Sequence, residues 1–250
     1  MSAKRKRAIL IILFLLVVVL LTGCSSAADA KSTTAEPLGG LLGSRSETID
    51  ILGLLTLLTL LPSILIMFTS FTRMIIVLSF VRNALGLQQM PPNQVLVGIA
   101  LILTFFVMSP VLTQIDEKAY QPYVANKISQ EEALERALEP VRDFMFRQTF
   151  KEDLKFFEDV ASVKAEKIED IPTEVLMPAF VTSEIKRAFQ IGFLLYIPFI
   201  VIDMIVASAL MSMGMMMLPP TVISLPFKVL LFVLVDGWIL TVQTLVTGFG

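Results

Sequence analysis

Four apolar stretches, each long enough to cross a lipid bilayer, constrain the fold of this chain more than any other feature. Residues 83–115 carry no charge, and the segments around 51–81, 94–112, 188–210 and 227–248 are almost wholly apolar. A helix of about 20 residues crosses the roughly 30 Å hydrocarbon layer, because each residue adds about 1.5 Å. We therefore predict an all-α integral membrane protein with four hydrophobic helical segments arranged in hairpins.

The charge of the chain is concentrated between the second and third apolar segments. Of 42 charged residues, 27 lie between Asp116 and Arg187, and 16 of these are acidic and 11 basic. This block has a net charge of −5, whereas the rest of the chain is nearly uncharged. We therefore predict an acidic domain at 113–182, between a first hairpin at 49–112 and a second hairpin at 183–250.

Two signals predict that the acidic domain is small and helical. Residues 129–132, Ser-Gln-Glu-Glu, form a capping box, in which both end side chains satisfy free amides of a helix start. An apolar stripe at helical spacing follows, and we expect Pro140 to kink it or to separate two abutting helices. About 70 residues with short stripes build only a small core. We expect the domain to pack against copies of the chain or against partners; a self-sufficient bundle is the alternative.

Composition excludes several kinds of chemistry. The chain has no His and a single Cys, so it cannot form a Ser-His-Asp triad, a His-ligated metal site or an intrachain disulfide. Its 20 Lys and Arg against 22 Asp and Glu give no basic excess, so nucleic acid is not an expected partner. A content of 55% hydrophobic and 17% charged residues excludes a soluble enzyme. We expect no cofactor, no metal site and no catalytic residue.

The N-terminus has the organisation of a cleavable export signal. Residues 4–7 are all basic, and residues 8–21 form an unbroken apolar run of 14. That run is too short to span a bilayer comfortably but suits the apolar region of a signal peptide. We predict a signal peptide at 1–30, followed by a flexible lead-in at 31–48 that is rich in Ser, Thr, Ala and Gly.

The end of this signal contains a candidate lipidation site. Residues 21–24, Leu-Thr-Gly-Cys, resemble the lipobox of bacterial lipoproteins, in which cleavage before the Cys leaves it to be acylated. Cys24 is therefore a candidate for lipidation. The alternative is ordinary cleavage at a small-residue site near 28–30, which would discard Cys24.

Counting spans from the signal predicts the topology. After cleavage the new N-terminus lies outside, so the second span runs outward and the domain at 113–182 is extracytoplasmic. The Met-rich loop at 211–220 then lies in the cytoplasm. Arg82 and Lys228 agree with the positive-inside rule, and the adjacent basic pair at 186–187 opposes it weakly.

Several long motifs resemble one known family. They are residues 70–86, residues 91–95, residues 178–193 and the stretch from Pro198 to Pro220. These sequence motifs are similar to those of the FliP/SctR family of type III export gate proteins. The resemblance covers about residues 50–250. The lipobox-like Cys24 departs from the family pattern, so the resemblance does not imply that Cys24 is lipidated.

The resemblance implies a non-enzymatic role in the bacterial cytoplasmic membrane, within the flagellar basal body. Members of the family form a pore, in which five copies assemble with FliQ-like and FliR-like gate subunits and with other type III export apparatus proteins. Unfolded export substrates pass through this pore. The equivalent subunit of a virulence type III secretion system is the alternative. In the assembled gate, partner subunits as well as membrane lipid cover the apolar surfaces.

Five methionines crowd into seven positions of the loop that follows the third apolar segment. In a ring of copies, their flexible thioether side chains could close a lumen and part around a substrate. The alternative is a hydrophobic turn packed on its neighbours. The candidate pore-gating residues are Met211, Met213, Met215, Met216 and Met217.

Three charged residues in apolar segments are candidate buried polar groups: Arg73, Asp203 and Asp236. Such residues are costly in lipid and normally face a protein interior or a water path. We expect Asp203 and Asp236 to make buried hydrogen bonds or pairs between subunits, with Arg73 as one candidate partner. The alternative role for Arg73 is to cap the C-terminus of a neighbouring helix.

Two other functional classes fit some of these features. Two intramembrane acids that share a proton would define an aspartyl protease, although the wider motif of such enzymes is absent from the sequence. A membrane scaffold that only recruits other gate components would share every feature except a lined pore. Ion conductance of the purified assembly would distinguish a channel from a scaffold, and peptide cleavage would reveal a protease.

Overall fold

Helices form all the regular secondary structure of the residues that the structure describes. The structure is a computed structural model, and the predicted signal at 1–30 with Cys24, the lead-in at 31–48 and Met216 lie outside its described residues. From Pro62 onward the chain forms one compact unit. The described residues are 55–56, 59–60, 62–87, 89–163, 170–215 and 217–249.

The first apolar segment is two helices with a sharp bend between them. Helix α1 spans Pro62–Phe68 and α2 spans Phe71–Ala84, and their axes differ by 85°. The break therefore lies at 69–70. At the end of α1, side-chain hydroxyls donate hydrogen bonds to backbone carbonyls. Thr69 donates to the Leu65 oxygen, and Thr72 donates to the Ile66 oxygen at 2.9 Å. Such local hydrogen bonds compete with helix continuation.

The second apolar helix continues into the charged block without a break. Helix α3 spans Asn93–Ile115, passes through a π-helical turn at Asp116–Tyr120 and ends with Gln121–Val124. These 32 residues form one candidate span. The predicted boundary at 113 therefore marks a change of composition and not the end of a helix.

The acidic block contains two further helices. Helix α4 spans Gln130–Gln148, and α5 spans Lys151–Ala161. The Ser129 hydroxyl accepts a hydrogen bond from the Glu132 amide at 3.2 Å, as the capping box predicts. Helix α4 runs through Pro140 as one element, so the two abutting helices that we considered are not formed.

A polar contact fixes α5 against the long helix that follows it. The Phe150 amide donates to the Ser183 hydroxyl at 3.0 Å, and that hydroxyl lies 2.8 Å from an Asp153 oxygen. Asp153 also pairs with Lys186. Apolar side chains nevertheless remain exposed on the outer faces of α4 and α5, namely Leu134, Phe156 and Val160.

The third apolar segment belongs to a 40-residue helix. Helix α6 spans Thr173–Ser212 and continues through Pro178 and Pro198. At 1.5 Å per residue it is about 60 Å long, roughly twice the hydrocarbon thickness. The predicted segment at 188–210 is its apolar C-terminal half, and the predicted boundary at 183 falls inside the helix.

The fourth apolar segment is bent where the sequence predicts a continuous span. Helix α7 spans Pro220–Leu234 and α8 spans Gly237–Thr247, with 63° between their axes. Asp236 adopts a left-handed backbone conformation, with φ +50°, and breaks the helix. A Cβ at Gly237 would lie only 2.2 Å from the Phe232 ring, so the bend closes around a residue without a side chain.

Helix α2 lies at the centre of the packing. Its residues Met74, Val77 and Leu78 are fully buried against α3 and against Ala188 of α6. A Cβ at Gly192 would lie 2.6 Å from the Phe80 ring, so glycine permits the close approach of α2 and α6. A second core cluster joins α3, α4 and α6, and a third joins α2, α6 and α7.

The described residues contain two helices that are long and apolar enough to cross a membrane, or four if each bent pair counts as one span. The two helices are Asn93–Val124 and Thr173–Ser212. Their lipid-length apolar portions are largely uncovered by the rest of the chain. The fold is therefore all-helical and has the surface of a membrane protein.

Candidate functional site

Arg73 lies at the centre of a buried polar cluster that joins four helices. The side chain comes from α2 and is fully buried. Its Nε donates to Glu184 of α6 at 3.0 Å, and its Nη2 donates to the other Glu184 oxygen, so the ion pair is bidentate. Nη2 also donates to the Gln148 side-chain oxygen, at 3.1 Å, at the end of α4. Nη1 donates to the Gly248 carbonyl, just after α8, at 2.9 Å.

Two further groups complete this cluster. The Phe249 ring covers the guanidinium of Arg73, with 3.6 Å from the guanidinium carbon to the ring centre. Arg187 donates to the Gln148 oxygen at 3.1 Å, so one amide oxygen serves two arginines. We call Arg73, Gln148, Glu184, Arg187 and Phe249 the arginine cluster. It ties together the two hairpins and the acidic block.

The arginine cluster differs from the pairing that we considered from the sequence. The acidic partner of Arg73 is Glu184 and not Asp203. The other alternative, that Arg73 caps a neighbouring helix, matches its bond to Gly248 at the C-terminus of α8. Sequence reasoning missed Glu184 and Gln148. A signal for Glu184 was present, since it is an acid followed by a mostly apolar segment within the motif at 178–193.

Asp203 forms a second ion pair, between α6 and α7. Its Oδ2 lies 2.6 Å from the Lys228 ammonium, and its Oδ1 accepts from the Ser224 hydroxyl at 2.5 Å. The Lys228 side chain is 5% exposed and that of Asp203 is 28% exposed. The pair lies within one chain and fastens together the two helices that flank the Met-rich loop.

Asp236 is exposed at the bend between α7 and α8, whereas the sequence predicts that it is buried. The backbone reverses hand at this residue, and this turns its side chain out of the helix packing. The Asp203 carboxylate is occupied by Lys228 and Ser224. This arrangement gives no support to a pair of acids sharing a proton, as the protease alternative requires.

The Met-rich loop is a tight turn between α6 and α7. Met211 lies in the last turn of α6, and Gly214 has φ +74°, which allows the chain to reverse. The Met215 amide donates to the Leu210 carbonyl at 3.0 Å and so closes the end of α6. Met211 and Met213 are exposed, and the Met217 side chain is 99% exposed. Met216 lies outside the described residues.

Among the described residues, no group of three or more Cys, Asp or Glu is placed to hold a metal ion. The polar residues instead hold helices together, and Met211, Met213 and Met217 of the turn are exposed. Fold and site together define an all-helical protein with the apolar surface of a membrane component.

Comparison with known proteins identifies the family. The sequence model of the FliP family matches residues 54–245. A flagellar biosynthetic protein FliP of Bacillus subtilis (strain 168) is 56% identical over 205 residues, which cover 82% of this chain and 93% of the relative. Proteins with the same name from Pectobacterium carotovorum subsp. carotovorum and Aquifex aeolicus (strain VF5) are 57% and 49% identical. These alignments cover 83% of this chain and 81% and 88% of the two relatives.

The chain belongs to the FliP family. It is a flagellar biosynthesis protein and a component of the flagellar type III export apparatus, where it works with other export components. The resemblance seen in the sequence is thereby confirmed.

Proposed function

We propose that this chain is a pore-forming core subunit of the flagellar type III export gate. About five copies would assemble with FliQ-like and FliR-like subunits, as the family resemblance implies, and pass unfolded flagellar subunits across the cytoplasmic membrane. The observation that carries the proposal is the Met-rich turn. Met211, Met213 and Met217 are exposed at the tip of a hairpin that the Asp203–Lys228 ion pair fastens, so these side chains are free to meet those of other copies.

The exposed apolar surface supports assembly with other subunits. Phe193, Leu194, Met204 and Ile205 of α6 are each more than half exposed, as is Phe106 of α3. Exposed apolar faces of this extent are covered by lipid or by partner subunits. The exposed apolar residues on α4 and α5 lie on the acidic block, where charged neighbours make lipid an unsuitable cover.

Replacing Met215, Met216 and Met217 together by Ala tests the pore. Thioether side chains fill a narrow lumen and exclude ions, whereas Ala leaves it open. We expect normal assembly, increased ion leakage through the membrane and slow growth when the gate is overproduced. Membrane potential and entry of a small impermeant dye measure the leak.

Two control variants separate the seal from general damage. Met204→Ala removes one exposed methionine from the side of α6 and should not leak. Replacing the three turn residues by Leu should keep the seal better but impair export, because branched Leu adapts less to a changing substrate. If the triple-Ala gate assembles and leaks no more than the parent, the turn is not the seal.

We also propose that residues 113–182 lie outside the cytoplasm and mediate assembly. Glu131→Cys places a thiol at an exposed position of α4, and Glu158→Cys places one at a partly exposed position of α5. In spheroplasts that lack the other gate subunits, both should react with a membrane-impermeant maleimide. Met213→Cys, in the loop predicted to be cytoplasmic, should react only after lysis. The parent measures the background from Cys24, and the reverse pattern would refute this topology.

A further inference from the structure

We propose that Gly248 and Phe249 form a latch that closes the second hairpin onto the rest of the molecule. Arg73 is the positioning residue that holds this latch. The inference rests on contacts within one chain and does not depend on pore formation, so it can fail or stand separately from the proposed function. Its starting point is that Gly248 and Phe249 are bound by two elements distant in sequence, α2 and the end of α4.

Four contacts hold the latch. Arg73 donates to the Gly248 carbonyl at 2.9 Å and lies over the Phe249 ring at 3.6 Å. The Gln148 amide donates to the Phe249 carbonyl at 3.4 Å. The Phe249 ring stacks on the Phe144 ring of α4, with 6.1 Å between centres and 19° between planes. Side chains of α2 and α4 therefore engage both the backbone and the aromatic ring of the latch.

Apart from the latch, helix α8 packs through one narrow buried stripe and a few partly buried side chains, among them Val242 and Val246. Its buried residues are Gly237, Thr241 and Leu245, spaced four apart on one narrow stripe. Only Leu245 contributes a large, fully buried apolar side chain, and Ile239 and Leu240 on the other faces are more than half exposed. Trp238 packs edge to face on Phe232, with 5.3 Å between the ring centres. The stabilisation gained is roughly proportional to the apolar area that is buried. The latch therefore adds to the attachment of α8 at the C-terminal end of this stripe.

Electrostatics favour closure. Within the described residues, the arginine cluster contains two positive side chains, Arg73 and Arg187, and one negative side chain, Glu184. The last carbonyls of a helix carry partial negative charge from the aligned peptide dipoles. Docking of the α8 C-terminus brings the Gly248 carbonyl to the excess positive charge. An opened latch would remove that acceptor and leave a buried guanidinium donor unsatisfied.

Arg73 can hold the latch only because Glu184 orients it. The bidentate pair fixes Nε and Nη2, and this points Nη1 at Gly248 and turns the flat face of the guanidinium toward Phe249. A lysine at this position would keep the charge but could not make these contacts at once. The arm formed by α7 and α8 starts at the Met-rich turn and ends at the latch. The latch therefore sets where the end of this arm lies.

Amide hydrogen exchange of the purified full chain in detergent tests the latch. In the closed state the amides of Gly248 and Phe249 donate to the Thr244 and Val246 carbonyls and should be protected. Arg73→Lys loses the guanidinium bond to the Gly248 carbonyl, and Phe249→Ala loses the ring that packs on Arg73 and Phe144. In both variants amides 245–249 should exchange about tenfold faster. Amides 173–183, at the start of α6, should keep their protection in Phe249→Ala.

Matched variants distinguish a latch from general stabilisation. Thr247→Ala changes an exposed residue of the same turn, whose hydroxyl bonds only within its own helix, and should exchange like the parent. Phe249→Tyr keeps the ring face and should retain protection, whereas Phe249→Leu keeps apolar bulk without the ring and should lose much of it. If Phe249→Ala leaves amides 245–249 as protected as in the parent, or if Leu protects as well as Tyr, the latch is refuted.

Discussion

Glu184→Leu is expected to destabilise the chain by about 3–5 kcal/mol, the usual result of removing one partner of a buried ion pair. The substitution leaves the fully buried Arg73 guanidinium without its carboxylate. It also frees Arg73 to turn away from Gln148 and Gly248, so contacts with α4 and α8 weaken together. Unfolding of the purified protein in detergent measures the loss. In cells we expect little accumulated protein and no swimming motility.

Two control variants separate the loss of a buried ion pair from the loss of an ordinary surface acid. Glu139→Leu removes an acid whose partner, Lys118, is 3.3 Å away in a solvent-exposed pair, and such pairs contribute about 0–1 kcal/mol. Arg73→Leu combined with Glu184→Leu removes both buried charges and should recover part of the stability. If Glu184→Leu unfolds like Glu139→Leu, the arginine cluster does not hold the helices together.

Asp203→Leu is the second substitution with a large expected effect. Lys228 has a nearly buried ammonium group 2.6 Å from Asp203, and Leu would leave it unpaired at a cost of about 3–5 kcal/mol. Because the pair fastens α6 to α7, we expect the Met-rich turn to lose its fixed base and the gate to assemble poorly. Native gel electrophoresis of the detergent-extracted assembly provides the measurement.

Asp203→Asn is the matched comparison. It keeps the shape and an acceptor for Ser224 and Lys228, so it should assemble better than Asp203→Leu. Adding Lys228→Met to Asp203→Leu should restore assembly in part, because the double variant has no unpaired ammonium group between α6 and α7. If both the Leu and the Asn variant assemble as well as the parent, the ion pair is not required. A proteolytic product that disappears in Asp203→Asn would instead favour the enzyme alternative.

Composition and periodicity were sufficient to predict the helices and the buried position of Arg73, because a charge in an apolar stretch must face the protein interior. They could not supply its partner. Glu184 is 111 residues away, and the contact depends on how α2 crosses α6, which local periodicity does not encode. The bends could not be predicted from hydropathy either. Hydrogen bonds of the Thr69 and Thr72 hydroxyls, and the left-handed backbone of Asp236, end helices at points where the sequence remains apolar.

The partner of Asp203 was within reach of sequence reasoning. Asp203 lies eight residues before the predicted loop at 211–220, and Lys228 lies eight residues after it. Two antiparallel helices that leave a common turn place such residues at the same height, so the hairpin itself predicts the pair. The sequence analysis used Lys228 only as evidence for the positive-inside rule, and so the pair with Asp203 was missed. The exposure of Asp236 has no comparable signal, since it depends on the bend at Gly237.

The arginine cluster also has a consequence for synthesis of the chain. Arg73 and Gly248 are 175 residues apart. At about 5–20 residues per second, the ribosome completes Gly248 roughly 9–35 s after it adds Arg73. Glu184 follows Arg73 by 111 residues and is added roughly 6–22 s after it at the same rate, so for that time α2 contains a cation without its carboxylate. Whatever receives the growing chain must therefore tolerate an arginine in an apolar helix until first Glu184 and then Gly248 have been translated.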